Sequence, residues 1–358
     1  MLFLHIMNKK EVFVIGFMSG TSLDGMDLVY VKFLKDNYRY FEILHAETVK
    51  YSSQWKSTLQ RSIHFPSHDL DLLNTEYGIY LGGIINQFID KHEIQNIYFI
   101  ASHGHTVLHQ PEKGITLQIG DGQVIARITK QKVVCDFRTQ DVRLGGQGAP
   151  LVPIGDELLF SNYDFCLNLG GFSNISYCKE GKRIAFDICP VNIVLNHYAN
   201  KLGFEYDEFG ILATKGKLNS TLLAALNSLS YYSQSPPKSL GLEWVKETIF
   251  PLIDDFETDD FAILRTFVEH IAVQISRVIH KNNSVLITGG GAFNSFLMNR
   301  IEIISQTKVS LAKKEIVDYK EALIFAFLGL LRVDNQVNCL SSVTGAQKDH
   351  SSGMIFLP

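Results

Sequence analysis

The chain has 358 residues, more than one hydrophobic core usually organises, so two domains are expected. Hydrophobic residues make up 46% and charged residues 20%, proportions typical of soluble globular proteins. The net charge of −4 and the lack of a basic tract argue against a nucleic acid or an anionic membrane as the main partner, so a small-molecule substrate is expected.

The five cysteines are scattered, odd in number and never arranged as C-x-x-C. This usage predicts reduced thiols in a cytoplasmic protein rather than a disulfide framework or a zinc site. The apolar run Met1–Met7 is too short for a signal peptide, and Met7 is a second candidate start. Because no run approaches the roughly 18 apolar residues of a membrane span, no membrane contact is expected.

The first predicted element is a β-hairpin with strands over Val12–Phe17 and Met26–Phe33. The strands are joined by a tight turn rich in Gly, Ser, Thr and Asp, which is typical of a hairpin. A Walker loop or a Rossmann G-x-G-x-x-G would need a helix after the glycines, and no helical period follows here.

The hairpin turn has the composition of an anion-binding loop. Glycines let backbone N–H groups converge on an anion, and hydroxyls add donors. A carboxylate among such groups makes sense with a cation, so Asp24 is a candidate Mg²⁺ ligand. An ordinary hairpin turn explains the same residues equally well. The turn consists of Gly20, Thr21, Ser22, Leu23, Asp24 and Gly25.

A second strand–glycine turn–strand pattern occurs at mid-chain, with strands over Asp164–Leu169 and Ile175–Cys178 around the turn Gly170–Asn174. The two hairpins lie about 150 residues apart, which indicates two related lobes, each offering one turn to a shared cleft. The predicted lobes are residues 1–155, to which 335–358 return, and residues 156–334.

The remaining pattern alternates helices with strands, which predicts an α/β fold. Helices are expected over Tyr77–Lys91, Asp121–Lys130 (capped by Asp121), Phe261–His280, from Ser295 onward and over Tyr319–Leu331; strands over Ile97–Ala101, Val133–Cys135 and Ser284–Thr288. Residues Ser233–Ser239 are expected to form a surface loop.

The glycines Gly289, Gly290 and Gly291 lie between a predicted strand and helix, where a flat ring or ribose could lie against the backbone. The N-terminus of the helix that follows favours negative charge. A plain strand–helix connection would need one glycine, so three favour a ligand site.

Asp187 ends an apolar strand, a position where catalytic groups often collect, and is a candidate general base. The alternative is an N-cap for a helix that starts near Val191.

His103, His105 and His109 match no closed zinc pattern, so hydrogen bonding to a ligand or to backbone is favoured over a metal site. Arg138 or Arg143 could pair with a substrate carboxylate, or either could form a salt bridge between the lobes.

Taken together, these motifs resemble the anhydro-N-acetylmuramic acid kinase family of bacterial cell-wall (peptidoglycan) recycling. The matching segments occur in family order: Met18–Asp27, the Ser-His-Gly-x-Thr run Ser102–Thr106, Asp136–Arg138, Gly145–Pro153, Asn168–Asn174 and Gly289–Asn294. The resemblance implies the two-lobed actin-like ATPase (ribonuclease H-like) fold, with the active site in the cleft between the lobes.

The resemblance also implies an activity: ATP-dependent opening of 1,6-anhydro-N-acetylmuramic acid and phosphorylation at O6, with Mg²⁺ as cofactor, in a cytoplasmic homodimer. Asp187 would be the base for water and Glu321 would help to position it. The ATP phosphates would lie against the turn residues 20–25 and the two residues that follow, Met26 and Asp27. They would also lie against Gly170, Gly171 and Asn174. Adenosine would lie at Gly289, Gly290, Gly291 and Asn294, and the sugar at His103, Thr106, Arg138 and Asn192.

Two segments depart from the family pattern. Ile188–Asn192 replaces Thr-Gly-Pro-Gly-Asn after Asp187, and Asp207–Gly210 stands where a more glycine-rich run is common. Three alternatives therefore stay open: a kinase for another amino or anhydro sugar, a catalytically idle nucleotide-binding regulator, and a metal hydrolase built on the three histidines.

Overall fold

The structure is a computed structural model that describes residues 11–20, 23 and 25–358. It divides into two compact units: unit 1 comprises Met1–Leu159 and Tyr319–Pro358, and unit 2 comprises Phe160–Asp318. These units divide at 159/160 and 318/319, whereas the predicted lobe boundaries lie at 155/156 and 334/335. The last long helix has a break at Tyr319 (φ −121°, ψ 16°), and everything after this break belongs to unit 1.

Unit 1 is built on a six-stranded sheet and a separate two-stranded hairpin. The strands are β1 (Glu11–Ser19), β2 (Met26–Leu34), β3 (Phe41–Val49), β4 (Phe99–Ser102), β5 (His105–Gln110), β6 (Ile115–Ile119), β7 (Val133–Cys135) and β13 (Met354–Phe356). The order in the sheet is β13-β7-β4-β1-β2-β3, and β5 pairs with β6. The first three strands form an antiparallel meander, β4 and β7 continue the sheet parallel to β1, and β13 closes it antiparallel to β7.

Unit 2 repeats this arrangement in a five-stranded sheet. The strands are β8 (Phe165–Leu169), β9 (Phe172–Lys179), β10 (Lys182–Pro190), β11 (Val285–Thr288) and β12 (Val309–Leu311). The order is β10-β9-β8-β11-β12. Strands β8, β9 and β10 form an antiparallel meander, β11 pairs in parallel with β8, and β12 pairs in parallel with β11. The same order in both units is that of the ribonuclease H-like, actin-like ATPase fold, so the predicted fold class is confirmed.

Both predicted hairpins are confirmed, but the second turn is shorter than expected. It comprises Gly170 and Gly171, and Phe172 already pairs with Pro190 in the sheet. Asn174 consequently lies within a strand rather than in the turn, opposite Asn168 on β8 and Asp187 on β10.

The helices of unit 1 are α1 (Ser53–Arg61), α2 (Ser67–Lys91), α3 (Gly122–Thr129), α4 (Thr139–Arg143), α5 (Pro153–Leu159) and, after unit 2, α14 (Ser341–Thr344). Helices α2 and α3 cover one face of the sheet, and their buried residues join those of β1 in one cluster. Helix α2 begins ten residues before the predicted start, because Leu70 and Leu73 extend the apolar face that Tyr77 continues. Asp121 caps α3 as predicted, accepting hydrogen bonds from the N–H groups of Gln123 and Val124.

The helices of unit 2 are α6 (Asn192–Lys201), α7 (Ile211–Lys215), α8 (Ser220–Asn227), α9 (Leu242–Trp244), α10 (Phe250–Phe256), α11 (Asp260–Ser276) and α12 (Ser295–Ser305); α13 (Lys314–Val333) runs from unit 2 into unit 1. Helix α11 forms the centre of the core, with most of its residues buried. It ends four residues before the predicted end, because the chain turns at Arg277 while Ile279 stays buried. Among the described residues no helix is both long and apolar enough to cross a bilayer.

Helix α13 lies against the opposite face of the unit 1 sheet at Gly16 of β1. A Cβ atom on Gly16 would overlap the carbonyl oxygen of Ala322 and lie 2.8 Å from Cβ of Ala326. Small residues on both sides therefore permit a close backbone approach. Through this contact α13, late in the chain, packs directly on the first strand.

We expect Gly16→Ala to destabilise the protein by ~2 kcal/mol, or roughly 5 °C in Tm, because backbone atoms of α13 cannot move aside freely. Gly83→Ala is the matched control, since Gly83 lies in α2 and a Cβ added there would have no atom within 4 Å. The control should raise Tm slightly, as alanine favours helix. Thermal unfolding followed by circular dichroism measures both, and an unchanged Tm for Gly16→Ala would contradict close packing.

Candidate active site

Gly25, at the end of the turn between β1 and β2, packs against β3. A Cβ on Gly25 would overlap Cγ2 of Thr48, so the turn has no room for a side chain there. Thr48 Oγ1 also donates a 2.6 Å hydrogen bond to Asp27 Oδ1. Leu23 adopts φ 58° and its side chain is buried. Three predicted site residues, Thr21, Ser22 and Asp24, lie outside the described residues.

A buried triangle of hydroxyl groups supports the start of this turn. Tyr51 Oη lies 3.0 Å from Ser19 Oγ and 2.6 Å from Tyr77 Oη, and Ser19 Oγ lies 2.9 Å from Tyr77 Oη. Burial raises the pKa of Tyr77 well above its usual value, so this phenol stays protonated. Ser19, the residue before Gly20, is thus hydrogen-bonded to two buried tyrosines.

Arg138, the third residue after the end of β7, is hydrogen-bonded to two partners. Its Nε donates to Nε2 of His103 at 2.9 Å, and its Nη1 donates to the carbonyl oxygen of Gly148 at 2.6 Å. Within the described part of the chain, Nη2 makes no hydrogen bond, so it is the donor left for a ligand. Burial lowers the pKa of Arg138, and the negative charge of Glu321 opposes this shift.

His103 is a support for Arg138 rather than an open ligand. Its Nδ1 donates to the carbonyl oxygen of Gly104 at 2.8 Å, which leaves Nε2 as the acceptor for Arg138. Burial, followed by the charge of Arg138, lowers the pKa of His103 to about 3, so the ring is neutral. Both ring nitrogens are bonded and the residue is 4% exposed, so the ring orients the Arg138 guanidinium; its contact with the sugar stays a prediction.

The other two histidines do not converge with His103 on a metal. His109 Nδ1 lies 3.1 Å from Thr116 Oγ1 at the exposed end of the β5–β6 hairpin. His105 is buried, and burial lowers its pKa to about 4. Within the described ranges, the one group with metal-ligand geometry contains none of these histidines. The remaining predicted sugar residue of this hairpin, Thr106, accepts a hydrogen bond from Gln118 Nε2 at 3.4 Å.

In unit 2, two glycine turns meet at the carboxyl ends of β8 and β11, which are parallel neighbours. A Cβ on Gly289 (φ 84°) would lie 2.7 Å from the Leu169 carbonyl group and from Asn168 Oδ1. A Cβ on Gly291 would lie 3.0 Å from the Leu169 oxygen. The predicted phosphate turn and the predicted adenosine turn are thus in backbone contact, which neither turn reveals alone.

Asn192 joins these two turns. Its backbone N–H donates to the Gly170 carbonyl oxygen at 3.2 Å, and its Nδ2 donates to the Leu169 oxygen at 3.4 Å. A Cβ on Gly291 would lie 3.4 Å from Asn192 Oδ1. The residue predicted to bind sugar therefore stands between the two turns that are predicted to contact the nucleotide.

Asn294 has a structural task that its prediction as an adenosine residue did not include. Its Oδ1 accepts a 2.9 Å hydrogen bond from the Leu297 N–H and so caps α12. The side chain is 8% exposed, and Gly210 packs directly against it. The carboxamide oxygen is thus engaged in the cap, and the contact of Asn294 with adenosine stays a prediction.

Asp187 lies near the end of β10 and does not cap a helix. The N-cap of α6 is Val191, without a side-chain cap bond, so the alternative interpretation of Asp187 is wrong. A β-bulge between Asp187 and Cys189 shifts the register against β9 directly after Asp187. Such bulges occur preferentially beside active sites.

One oxygen of Asp187, Oδ2, accepts a 2.9 Å hydrogen bond from the Leu240 N–H. The other, Oδ1, accepts none from the residues that the structure describes, so it is the oxygen that can take a proton. Burial raises the pKa of Asp187 above its ordinary 3.8, and the Leu240 N–H partly opposes this shift. A raised pKa makes the carboxylate a stronger base near neutral pH.

The backbone of Asp187 is anchored by a segment that the sequence analysis treated as surface loop. Its N–H donates to the Lys238 oxygen at 3.2 Å, and its carbonyl oxygen accepts from Tyr231 Oη at 2.6 Å. Burial lowers the pKa of Lys238, whose ammonium lies 4.6 Å from the Tyr231 ring centroid. The Ser/Pro-rich composition of 233–239 is that of an ordinary surface loop and does not indicate a contact with Asp187. Lys238, after the two prolines, is the residue whose charge could have suggested a functional contact.

The departures from the family pattern after Asp187 face the core. Ile188, Cys189 and Val191 are all buried and belong to the apolar cluster of unit 2. Val191 adopts φ −131° and ψ −97°, a combination outside the main β and right-handed α regions, at a position where the family pattern has glycine. The non-glycine residues are accommodated by core packing and leave Asp187 and Asn192 in place.

We expect Gly289→Ala to weaken ATP binding at least tenfold and to cost at least ~2 kcal/mol of stability, since the Leu169 backbone blocks the new methyl group. Gly203→Ala is the control, because Gly203 has nearly the same φ (86°) and nothing within 4 Å. It should cost about 1 kcal/mol from the left-handed conformation and leave ATP affinity unchanged. Thermal unfolding and calorimetric titration measure both quantities, and equal losses in the two variants would contradict a backbone contact.

The chain is similar to known proteins along nearly its whole length. The model of the family described as "Anhydro-N-acetylmuramic acid kinase" matches residues 12–358. Two relatives carry the name anhydro-N-acetylmuramic acid kinase. That of Mannheimia succiniciproducens is 33% identical, covering 96% of this chain and 98% of the relative, and that of Haemophilus influenzae is 34% identical, covering 98% and 99%.

Among solved structures, a xylulose kinase from Lactobacillus acidophilus is 12% identical with a TM-score of 0.42, covering 97% of this chain and 94% of that chain. The resemblance inferred from the glycine-rich motifs is confirmed by the family match over nearly the whole length. This chain belongs to the anhydro-N-acetylmuramic acid kinase family.

Proposed function

We propose that this protein opens 1,6-anhydro-N-acetylmuramic acid with water and phosphorylates O6, giving N-acetylmuramic acid 6-phosphate and ADP. Family membership makes the protein a kinase that uses ATP on an amino sugar. The observation that carries the reaction is the Asp187 carboxylate, which is half-buried at a β-bulge with one oxygen anchored and the other open. This is the geometry that a general base needs.

Asp187 Oδ1 would take a proton from a water molecule as the water oxygen bonds to the anomeric carbon. The bond between this carbon and O6 then breaks, and its electron pair stays on O6. O6 bonds to the γ-phosphorus of ATP, and ADP leaves with the electron pair of the broken P–O bond. The proton held by Asp187 returns to solvent when the products leave.

Arg138 would bind the sugar through its carboxylate. Muramic acid carries a lactyl carboxylate, and the free Nη2 of Arg138 is a charged donor of matching chemistry. Because Nε and Nη1 are already bonded, the guanidinium is oriented before the substrate arrives. We propose that Glu321, whose charge acts on Arg138, helps to orient the attacking water, with Thr106 and Asn192 as further sugar contacts.

The nucleotide would be held by backbone groups. Gly20, Leu23 and Gly25 of the first turn would face the phosphates together with Gly170 and Gly171. In the same proposal Thr21, Ser22, Asp24, Met26, Asp27 and Asn174 contribute to this site, and the turn Gly289–Gly291 with Asn294 contacts adenosine.

Mg²⁺ fits this donor set in chemistry. A magnesium ion in a kinase needs one or two carboxylates besides phosphate oxygens and water. Asp24 is the proposed carboxylate, and Asp27, whose Oδ1 accepts a hydrogen bond from Thr48 Oγ1, is a second carboxylate three residues further along the chain. When bound, the ion would neutralise the charge that develops on the transferring phosphoryl group.

Two further inferences rest on family membership. We propose that the protein is a homodimer, for which light scattering should give twice the mass of one chain. We also propose that it works in the cytoplasm, where ATP is supplied; fractionation of the producing cells tests this.

We expect purified protein to convert 1,6-anhydro-N-acetylmuramic acid and ATP to one equivalent each of sugar 6-phosphate and ADP. Mass spectrometry in ¹⁸O-water should place the label at C1 and not in the phosphate, because water attacks carbon. EDTA should abolish turnover and Mg²⁺ should restore it. Binding of ATP without any sugar phosphate would overturn the proposal, and label in the phosphate would overturn the order of bond changes.

We expect Asp187→Asn to lower kcat by at least about 10³-fold with ATP affinity nearly unchanged, because the amide cannot accept the proton. In the wild type, kcat/KM should fall with decreasing pH through the pKa of Asp187, at a pH above that of an ordinary aspartate.

The raised pKa also fixes the sign of the stability effect. Ionised Asp187 opposes folding above its pKa, so Asp187→Asn should unfold at the same or a higher temperature. The exposed Asp90→Asn on α2 serves as control and should change neither rate nor Tm. A parallel loss of ATP affinity and Tm in Asp187→Asn would show a structural role instead.

A further inference from the structure

The segment after α13 brings together three side chains with metal-ligand chemistry in unit 1. Cys339 and His350 face each other across an antiparallel bridge, in which each N–H donates to the other's carbonyl oxygen at 3.1 Å. Asp141 of α4 lies against both. All three are buried, with exposures of 0% for Asp141, 1% for Cys339 and 6% for His350.

Their ligand atoms converge on a small volume. Cys339 Sγ lies 3.0 Å and His350 Nε2 lies 3.6 Å from Asp141 Oδ1, and all three atoms lie within 4.8 Å of one another. In a tetrahedral zinc site with bonds of about 2.0–2.3 Å, neighbouring ligand atoms stand roughly 3.3–3.7 Å apart. The nitrogen–oxygen separation of 3.6 Å falls in this range and the sulfur–oxygen separation of 3.0 Å is somewhat shorter, while the sulfur–nitrogen separation is at most 4.8 Å.

The state of His350 points independently to a ligand. Its Nδ1 lies 3.1 Å from the Lys348 carbonyl oxygen and so carries the proton that it donates. Its Nε2 then holds a free lone pair, is buried and has no hydrogen-bond partner among the described residues. A histidine that donates one nitrogen to a carbonyl group and aims the other at a carboxylate and a thiol has the orientation of a metal-binding histidine.

We propose that Asp141, Cys339 and His350 bind one Zn²⁺ ion. Sulfur, nitrogen and oxygen donors in a compact cluster suit this borderline-soft ion, and a water or a neighbouring oxygen completes four ligands. On binding, the S–H bond of Cys339 breaks, the S–Zn bond forms, and the thiol proton passes to solvent. The Thr344 hydroxyl, 2.7 Å from Asp141 Oδ1, keeps the carboxylate oriented.

The ion would anchor the loop that positions Arg138. Asp141 Oδ2 accepts a 2.7 Å hydrogen bond from the Gly148 N–H, and Gly148 in turn accepts from Arg138 Nη1. Gln147 and Thr344 add a 2.8 Å backbone bond between the same two segments. The zinc site is therefore a structural site. It stabilises the loop that contains Gln147 and Gly148 and that supports Arg138.

The test uses the untagged full-length chain, stripped with EDTA, reloaded with Zn²⁺ and freed of excess metal by gel filtration. We expect about one zinc per chain by elemental mass spectrometry, and a rise in Tm on reloading. Cys339→Ala and His350→Ala should each fall below about 0.2 zinc per chain and lose the rise in Tm. Cys178→Ser is the matched control, since Cys178 is an exposed thiol, and it should behave as the wild type.

Co²⁺ in place of Zn²⁺ gives an absorption spectrum that reports directly on a metal–thiolate bond. Because this spectrum is recorded on the wild type, it tests the site even where a variant fails to fold. The wild type and Cys178→Ser should show the charge-transfer absorption of a thiolate bound to cobalt, and Cys339→Ala should not. A wild type without this band, or with no more zinc than His350→Ala, would overturn the proposal and leave the cluster as a hydrogen-bonded Asp–Cys–His group. Retention of the band in Cys339→Ala would overturn it equally.

Discussion

Parallel strand pairing is the constraint on which the candidate site depends. Parallel neighbours end at the same edge of a sheet, so the residues that follow them are brought together whatever their distance along the chain. In unit 1, β1, β4 and β7 deliver the turn at Gly20, then His103 and then Arg138 to one edge. In unit 2, β8 and β11 deliver the turns at Gly170 and Gly289. The antiparallel hairpins alone would have left these groups apart.

The charged groups of unit 1 are arranged so that one donor stays open. A buried guanidinium is costly unless it is bonded, and Arg138 meets this requirement with a neutral histidine and a backbone carbonyl group. A charged His103 would repel it, and burial together with the nearby guanidinium keeps that ring neutral. The Asp141 carboxylate supports the same loop through Gly148, so the orientation of Arg138 extends to the last segment of the chain.

In unit 2 the same logic applies to a carboxylate. Asp187 is desolvated enough to have a raised pKa, and its strand is bulged at this point. Its environment is supplied by the segment 231–240, whose groups bond both to its main chain and to Oδ2. A rigid backbone with one free side-chain oxygen is the preorganisation that proton transfer requires.

The sequence by itself determined the hairpins, the cap at Asp121, the alternation of strands and helices, and the motifs that lead to the family. These depend on local rules of turn chemistry, capping and periodicity, which a short window of residues contains. It also indicated Asp187 and Arg138, because a polar residue after an apolar strand is a local signal.

Only the tertiary structure decided which groups meet. The backbone contact between Gly289 and Leu169, the bond from His103 to Arg138 and the contacts of Asp141 with Cys339 and His350 join residues 35 to 209 positions apart, and no local pattern encodes such distances. The zinc site is an example. The sequence predicted none, because the cysteines are not spaced as zinc ligands, whereas the proposed ligands lie far apart along the chain, in α4 and near its end. Strand pairing and the return of α13 to β1 set these contacts, because burial of apolar surface, not sequence proximity, selects the neighbours of each segment.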